Sequence, residues 1–593
     1  MPEYIAPTRD MQFVIDELVN LNTISALPGY EDASPDLVEA ILEQAAVFAG
    51  EVFSPLNQPG DVHGTRVEDG VVTSPPGYAE AYQQFVDNGW QGLGKSVDHG
   101  GQGMPYLVHS AVAEMWYAAN MAFALCPLLT SGAIEAIESH ATDQLKQLYL
   151  SKLVSGEWSG TMNLTEPQAG TDLAAIKTRA ERDGEHYRIQ GQKIYITWGE
   201  HQMSDNIIHL VLARLPDAPE GVKGISLFLV PKYLLNDDGS PGERNDLKAI
   251  SVEEKMGIHS SPTCVMSYGD NDGAIGYLLG EEHNGLACMF TMMNNARLEV
   301  GMQGVAISER AYQRAVAFAK ERVQGVARGH TSRSTIIHHP DVRRMLMQMR
   351  ALCESSRALA YYASAQTDLA NHSESPELRQ AHQRRVDLTI PIVKGWCTEM
   401  SQEVTSLGVQ IHGGMGFVEE TGAAQHMRDA RILPIYEGTT GIQALDLMGR
   451  KMLRDQGQGM AEMIQEMKQL GPLLATDQSV LGSFATRFEA ALAALQEATE
   501  WYLGEAAADP DLGSAVGVDY MMLAGNVIAA WLMGQSAVTA LRHLAESGDD
   551  PFYAEKIKTA VFFAERILPR AEAQLLMVKA GSSSVMAIEA DDF

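Results

Sequence analysis

The sequence is poor in cysteine, in basic residues and in tracts of biased composition. Five cysteines among 593 residues, Cys126, Cys264, Cys288, Cys353 and Cys397, are widely spaced and form no C-x-x-C pair. This pattern predicts neither a disulfide framework nor a structural zinc site, and it favours a reducing compartment. The N-terminal region has no basic cluster followed by an apolar run, so we expect no signal or transit peptide and a cytoplasmic location.

The charge balance argues against several classes of partner. The chain carries 44 Lys and Arg against 76 Asp and Glu, a net charge of −32. Such a charge repels nucleic acid and anionic membrane surfaces, so neither is an expected partner. An anionic cofactor stays possible, because a few arginines and helix N-termini can hold a pyrophosphate locally.

One stretch, residues 520–541, lacks charges for long enough to span a membrane. It also contains Asn526, Gln535, Ser536 and Thr539 among several small residues. These polar side chains favour a buried helix of a bundle over a membrane span, which stays as the alternative.

The periodicity of apolar residues changes along the chain, and its length predicts several domains. Helical spacing gives way to β-rich runs separated by turn signals such as Asp183-Gly184, and then returns. We predict a mainly helical α+β protein with five segments: an N-terminal extension (1–35), a helical domain (36–158), a β-domain (159–285), a helical bundle domain (286–452) and an additional C-terminal helical domain with an acidic tail (453–593). From Asp455 onward there are 8 basic and 20 acidic residues, a net charge of 8 − 20 = −12, so the last segment is a poor membrane anchor and a better packing or subunit surface.

Three separated motifs carry a resemblance to a known family. They are LTEPQAGTDLAAIKT (164–178) with GQKIYITWG (191–199), GVQIHGGMGF (408–417) and RDARILPIYEGT (428–439). In this order, and within a helix–sheet–helix layout, they resemble the acyl-CoA dehydrogenase family over about residues 36–450. The length and the C-terminal block are similar to an enlarged bacterial branch that includes 3-methylmercaptopropionyl-CoA dehydrogenases and long-chain enzymes. The resemblance implies the family fold, FAD as cofactor and an acyl-CoA substrate.

Glu437 matches the catalytic base of that family. An α-proton of a thioester is weakly acidic, so its removal needs a fixed base in a desolvated site and hydrogen bonds on the carbonyl oxygen. The plain alternative is a solvated glutamate in the loop before Gly438. Some relatives carry the base immediately before an arginine similar to Arg297, but Ala296 stands there and cannot accept a proton.

The β-domain motifs imply the flavin contacts. Thr165 and Thr197 offer hydroxyls, and the strand edges around Met162, Leu164 and Ile196 offer backbone groups to a heterocycle with alternating donors and acceptors. By resemblance, Tyr195 covers the ring. Threonine is also simply common in strands, which is the alternative for either residue alone.

The remaining contacts are implied only by the resemblance. Arg322 is similar to an arginine that reaches the FAD pyrophosphate of a partner subunit, and the alternative is a helix-surface cation paired with Glu321 or water. The other expected cofactor contacts are Thr171, Gln324, Gln410, Gly413, Gly414 and Thr439, and the expected substrate contacts are Thr171, Asn294, Arg297, Tyr436, Glu437 and Gly438. Gly441 and Gln168 depart from frequent family residues, and the His338-His339 pair without a third ligand favours a polar loop over a metal site.

The resemblance implies a reaction and its partners. Glu437 removes the α-proton, the flavin accepts the β-hydride, and a flavin ribose hydroxyl with the Glu437 N–H holds the thioester oxygen. Electrons then pass to an electron-transfer flavoprotein, as in fatty-acid β-oxidation. An acyl-CoA oxidase on the same fold and a non-catalytic acyl-CoA-binding protein are the alternatives. We expect a homo-oligomer, with a dimer favoured, while the acyl chain stays open.

Overall fold

The computed structural model describes residues 4–593, apart from the side chain of Ser547, and it divides into two compact units. The sheet unit comprises Val47–Met104 and Ala119–Glu299. The bundle unit comprises the chain up to Ala46, Pro105–Ala118 and Val300–Phe593. Two long helices, α6 (Tyr106–His140) and α8 (Gly285–Glu321), have residues in both units, and α6 is interrupted at Asn120, whose φ is −155°.

The sheet unit contains one eight-stranded sheet in the order β10-β11-β5-β12-β7-β6-β3, with β4 paired to β5 and β6. The pairs β3–β6 and β4–β6 are parallel, and the other pairs are antiparallel. The strands of the described part of the chain are β1 (Arg66–Glu68), β2 (Val71–Thr73), β3 (Trp158–Asn163), β4 (Arg179–Asp183), β5 (His186–Thr197), β6 (Asn206–Arg214), β7 (Ile225–Pro231), β8 (Tyr233–Leu235), β9 (Pro241–Arg244), β10 (Leu247–Val252), β11 (Thr263–Tyr268) and β12 (Ala274–Leu279).

Apolar cores lie on both faces of this sheet. One joins residues of β3, β6 and β7 to helices such as α7 (Asp143–Ser155), and the other gathers residues such as Phe228 and Val230. Strand β6 is buried along almost its whole length, as its continuous apolar run predicts. The unit also holds α4 (Ser54–His63) and α5 (Tyr78–Asp87).

Strands β1 and β2 form a separate hairpin inside the region predicted to be helical. Its turn is Asp69-Gly70, and both residues have positive φ, 51° and 78°. Asp-Gly between short β-rich runs is a recognised signal for this turn, so the hairpin could have been found from the sequence.

The bundle unit consists of helices. They are α1 (Thr8–Phe13), α2 (Leu21–Ser25), α3 (Pro35–Phe48), α9 (Pro340–His372), α10 (Pro376–Ile392), α11 (Thr398–His412), α12 (Ala423–Ala430), α13 (Thr440–Leu445), α14 (Gln458–Lys468), α15 (Leu470–Leu474), α16 (Gln478–Glu505), α17 (Leu512–Ser547), α18 (Pro551–Arg566) and α19 (Arg570–Lys579), together with α-helical parts of α6 and α8. Wider π-helical turns occur at Val14–Leu18, Ala49–Phe53, Val393–Cys397 and Asp446–Leu453. We call Val393–Cys397 the π-turn below, because it holds part of the site.

Among residues 4–593, two helices are long and apolar enough to cross a membrane, α6 and α17. Their most apolar windows are 89% and 83% buried inside the protein, as core helices are. In α17, Asn526 accepts a hydrogen bond from the Trp396 indole (3.1 Å) and donates one to Gln574 (3.0 Å). The polar residue that favoured a bundle helix therefore has bundle partners on both sides.

A buried ionic cluster joins the N-terminal segment, α9 and α18. The Arg357 guanidinium bonds Glu114 (2.6 Å) and Glu309 (3.0 Å) and also meets Asp10. Lys556 pairs with Asp10 and with Glu354 (3.0 Å). Because these groups are buried, their mutual pairing is what makes burial of the charges tolerable.

Candidate active site

Glu437 lies in a short loop between α12 and α13. Its side chain is half-buried, and its φ is +56°, in the left-handed region. The next residue, Gly438, has a φ of +87°. A left-handed non-glycine residue costs free energy, of order 1–3 kcal/mol, and such strain often marks functional positions.

Two side chains hold the loop through its backbone carbonyls. Lys394, a fully buried residue of the π-turn, donates from Nζ to the Gly438 oxygen at 2.6 Å. Gln443 on α13 donates from Nε2 to the Glu437 oxygen (3.0 Å) and to the Gly438 oxygen (3.3 Å). The φ of Gly438 favours glycine, and a Cβ there would also lie 2.8 Å from this amide nitrogen and would displace the donor.

The residues on each side of Glu437 are also anchored. The Tyr436 hydroxyl donates to Gln303 on α8, and burial raises the pKa of Tyr436 well above its usual range, with the charges of Glu437 and Asp429 adding to the effect. Thr439 caps α13 by accepting from Ile442 N (3.3 Å). The loop is therefore fixed before, at and after the carboxylate.

In the sheet unit, the two predicted flavin segments lie side by side. Ile194 N donates to Thr165 O at 2.9 Å, which joins the residues after β3 to β5. The hydroxyls of Thr165 and Thr197 are half-buried and make no hydrogen bond within residues 4–593. Tyr195 is 60% exposed with φ +60°, and Trp198 has φ +53°. Of the eight described non-glycine residues with positive φ, three (Tyr195, Trp198 and Glu437) fall in or beside the predicted site.

A buried ion pair stands behind these flavin segments. Lys193 Nζ bonds Glu166 Oε1 (2.8 Å) and Leu164 O (3.0 Å). Glu166 also accepts from the backbone N–H of Lys177 (2.6 Å) and from N–H and hydroxyl of Thr178 (3.1 and 2.6 Å). The pair thus ties strand β5 to both ends of the loop that follows β3.

Four family models cover most of the chain. They are "Acyl-CoA dehydrogenase, N-terminal domain" (39–157), "Acyl-CoA dehydrogenase, middle domain" (161–270), "Acyl-CoA dehydrogenase, C-terminal domain" (283–453) and "Acetyl-CoA dehydrogenase C-terminal like" (460–589). The chain belongs to the acyl-CoA dehydrogenase family.

Individual relatives agree with this assignment over nearly the whole length. The chain is 48% identical to 3-methylmercaptopropionyl-CoA dehydrogenase of Ruegeria pomeroyi, covering 96% of this chain and 97% of the relative. It is 33% identical to a butyryl-CoA dehydrogenase of Syntrophomonas wolfei, covering 100% and 99%. Its fold is similar to that of an acyl-CoA dehydrogenase from Bacillus anthracis solved with FAD, at 21% identity and a TM-score of 0.74, covering 95% and 91%. The predictions of the fold with its extra C-terminal domain, of an FAD-dependent oxidoreductase and of FAD as cofactor are confirmed.

The sheet unit of this acyl-CoA dehydrogenase fits a flavin. Half-buried hydroxyls at Thr165 and Thr197 can form hydrogen bonds with a heterocycle. Strand β3 is the last strand in the order of the sheet and pairs with β6 on one side. Met162 lies half-buried on β3, whereas Ile196 is buried and pairs with Cys264 of β11. The donor set therefore matches the needs of an isoalloxazine edge.

The other predicted contacts lie further apart along the chain. Thr171 is exposed in the loop before β4, and on α8 Asn294 is exposed while Arg297 is 5% exposed, all three in the sheet unit. In the bundle unit, exposed Arg322 and Gln324 follow the end of α8.

At the end of α11, Gln410, Gly413 and Gly414 are exposed. Phe318 of α8 stacks on His412 with ring centroids 4.3 Å apart, which brings this end of α11 close to the end of α8 and so to Arg322. A Cβ at Gly413 or Gly414 would meet nothing within 4 Å. Packing within the chain therefore does not require glycine at Gly414.

Several residues that fix the site were not singled out from the sequence. Lys394 and Gln443 hold the loop of Glu437, the predicted base, which we call the base loop; Gln303 anchors Tyr436, and Glu166 with Lys193 holds the predicted flavin segments. The available signal was a charged residue inside an apolar run, as in TIPIVKGWC (389–397), and the charged residues within the quoted motifs.

Proposed function

We propose that this enzyme converts an acyl-CoA thioester to the trans-2-enoyl-CoA, with Glu437 as the base that removes the α-proton. The observation that carries the proposal is the state of Glu437: a half-buried carboxylate on a left-handed backbone, in a loop held through two consecutive carbonyls. A general base must be held in place to be effective, and this loop is held at every residue from Tyr436 to Thr440.

The remaining predicted contacts take the roles that the sequence assigned. Tyr436, Gly438, Asn294, Arg297 and Thr171 would contact the substrate. The FAD contacts would be Met162, Leu164, Thr165, Thr171, Tyr195, Ile196, Thr197, Arg322, Gln324, Gln410, Gly413, Gly414 and Thr439. When bound, FAD supplies the acceptor for the β-hydride.

A short acyl chain is the substrate class that we propose. Support comes from two of the relatives that match over almost the whole chain, one named for 3-methylmercaptopropionyl-CoA and one for butyryl-CoA, although a third is named a broad-specificity linear acyl-CoA dehydrogenase. We further propose an electron-transfer flavoprotein as the acceptor, a homodimer as the working form, a cytoplasmic location, a role in acyl-CoA catabolism such as β-oxidation, and the domain limits given above.

The proposal is tested first by replacing the base. We expect the purified enzyme to be yellow and to bleach when acyl-CoA is added without oxygen. Glu437→Gln should keep FAD but bleach slower by about 10²- to 10⁴-fold, the usual contribution of a general base. Glu419→Gln, at an exposed glutamate of the same unit, is the matched control and should bleach normally. Normal bleaching by Glu437→Gln would refute the base assignment.

Substrate and acceptor are tested with the same preparation. Acyl-CoAs from butyryl-CoA to palmitoyl-CoA, with 3-methylthiopropionyl-CoA included, are compared by kcat/KM with an artificial electron acceptor. We expect the short chains and the methylthio compound to lead, and a preference for palmitoyl-CoA would contradict the substrate proposal. Peroxide formed at the catalytic rate in air would identify an oxidase, and a colourless protein would indicate acyl-CoA binding without catalysis.

A further inference from the structure

Lys394 is a buried cation that contacts the base loop. Its side chain is fully buried, and its Nζ lies 2.6 Å from the carbonyl oxygen of Gly438, the residue after Glu437. The Gly438 carbonyl directly follows Glu437, whose left-handed backbone is strained, so a strong donor at this oxygen fixes the chain next to the strained residue.

The helices around Lys394 hold it tightly. Lys394 lies in the π-turn that follows Pro391, and its own carbonyl accepts from the Thr398 hydroxyl (2.6 Å). Added Cβ atoms at Gly301 and Gly304 on α8 would overlap the π-turn. Close packing of this kind leaves little freedom to the lysine stem.

The C-terminal domain forms one wall of this arrangement. A Cβ at Gly525 of α17 would overlap the Trp396 indole, and one at Gly395 would overlap Met521 of α17. Helix α17 also packs on α13, which carries Gln443. The extra domain thus supports both elements that donate to the base loop.

We infer that Lys394 is a positioning residue for Glu437, fixing the loop by its hydrogen bond and favouring the ionised carboxylate by its positive charge. This inference rests on the proposed role of Glu437 as base. A neutral donor could fix the loop equally well, as Gln443 does, so the charge is the property that distinguishes Lys394 from Gln443.

Other titratable groups lie near the loop, and the test must separate their effects on Glu437 from the effect of Lys394. Glu399 on α11 accepts from Thr440 Oγ1 (2.6 Å), and Asp429 on α12 acts on Tyr436. Asp446, after α13, pairs with Arg450 at 3.4 Å. Helices α8 and α17 present the neutral side chains of Gln303 and Asn526 to Tyr436 and Trp396. Arg428 on α12 pairs with Glu419 at 2.7 Å, whereas Lys394 donates directly to the backbone of the loop, so its removal should be seen at the base.

The test compares three variants of the FAD-loaded enzyme by the pH dependence of flavin reduction under single turnover. Lys394→Met removes donor and charge, and Lys394→Gln keeps a neutral donor. Gln443→Met removes a neutral donor from the carbonyls of Glu437 and Gly438, the second of which Lys394 also bonds. We expect both Lys394 variants to move the acid limb of the rate profile upward by about one pH unit, since a buried opposite charge favours the ionised base. Lys394→Met should also slow reduction on the order of tenfold to a hundredfold, with partial recovery in Lys394→Gln.

Gln443→Met should slow reduction without moving the limb. An unmoved acid limb in the Lys394 variants would overturn the inference, and so would loss of FAD and of secondary structure in both, because Lys394 would then be a folding residue. These outcomes differ from failure of the proposed function, in which the unaltered enzyme does not bleach or Glu437→Gln bleaches normally.

Discussion

Each of the two units has a predicted functional segment that a buried lysine holds. In the sheet unit, Lys193 donates to Leu164 O at 3.0 Å, and in the bundle unit, Lys394 donates to Gly438 O at 2.6 Å. Both side chains are fully buried. In both units, an ammonium group thus bonds a backbone carbonyl of a predicted functional segment.

The difference lies in what surrounds each lysine. Lys193 also pairs with Glu166, and burial lowers the pKa of Lys193 to about 8, although the charge of Glu166 opposes the shift. Desolvation of the ammonium therefore exceeds its attraction to the carboxylate. A buried pair of this kind fixes geometry more than it adds stability.

The base loop is supported at Glu437 and Gly438 by side chains from other elements. Glu437 and Gly438 are both left-handed, and their carbonyls are bonded by side chains from the π-turn and α13. The elements behind those side chains include α17 of the C-terminal domain. The sheet side is thus a local network within about thirty residues of sequence, whereas the bundle side depends on distant parts of the chain.

The largest effect is expected from breaking the network on the sheet side. Lys193→Met leaves the Glu166 carboxylate buried without its cation, which should lower the free energy of unfolding of the holoenzyme by about 3–5 kcal/mol. Denaturant titration measures the loss, and FAD content should fall with it because Leu164 and Thr165 lose their support. The double variant Glu166→Gln with Lys193→Met should regain most of the stability. If the double variant is as unstable as the single one, the ion pair itself adds stability to the fold, and the view that it mainly fixes geometry is wrong.

Much of the sheet unit could be predicted from the sequence. The run HYRIQGQKIYIT is strand β5, His186–Thr197, and the turn signal Asp183-Gly184 joins it to β4. These elements depend on alternation and turn chemistry, which are local. The interpretation of residues 520–541 as a buried helix was also sound, because Asn526 needs partners that only a protein interior supplies.

The supports of the base loop could not be predicted in the same way. Lys394 is 44 residues from Gly438, and Gln303 is 133 residues from Tyr436. Sequence spacing places a residue on a helix face but does not identify its distant contact. A lysine in an apolar run is also open to a plain interpretation, a stem that reaches solvent, which burial of Lys394 excludes.

A smaller effect should follow from disturbing the wall behind the base loop. Gly525→Ala adds a methyl group that overlaps Trp396, whose indole is held by Asn526. Alanine favours a helix over glycine by about 1 kcal/mol, but overpacking should outweigh this gain and leave a net loss of about 1–3 kcal/mol. Gly504→Ala, at an exposed helix position with nothing within 4 Å, is the control and should show no loss. We also expect slower flavin reduction in Gly525→Ala alone, and equal stability of both variants would remove α17 from the support of the loop.

The smallest effect should distinguish two buried carboxylates, one in each unit. Glu166 has a lowered pKa because Lys193 and several hydrogen bonds outweigh burial, whereas burial raises the pKa of Asp368 to about 7 despite bonds from Leu107 N (2.9 Å), Tyr106 N (2.7 Å) and Tyr30.

Between the unfolded value near 4 and about 7, the folded chain binds more protons at Asp368 than the unfolded chain does, so stability falls as the pH rises. Asp368→Asn should flatten this fall, measured as the denaturant midpoint from pH 4 to 7, by at most about 1.4 kcal/mol per pH unit. The contribution of Glu166 has the opposite sign and is lost as the pH drops through its unfolded value of about 4.3, so it enters this window only at the acid end. An unchanged slope in Asp368→Asn would mean that this carboxylate is ionised in the folded protein. The Lys193 cation would then not explain a difference in pKa between Glu166 and Asp368.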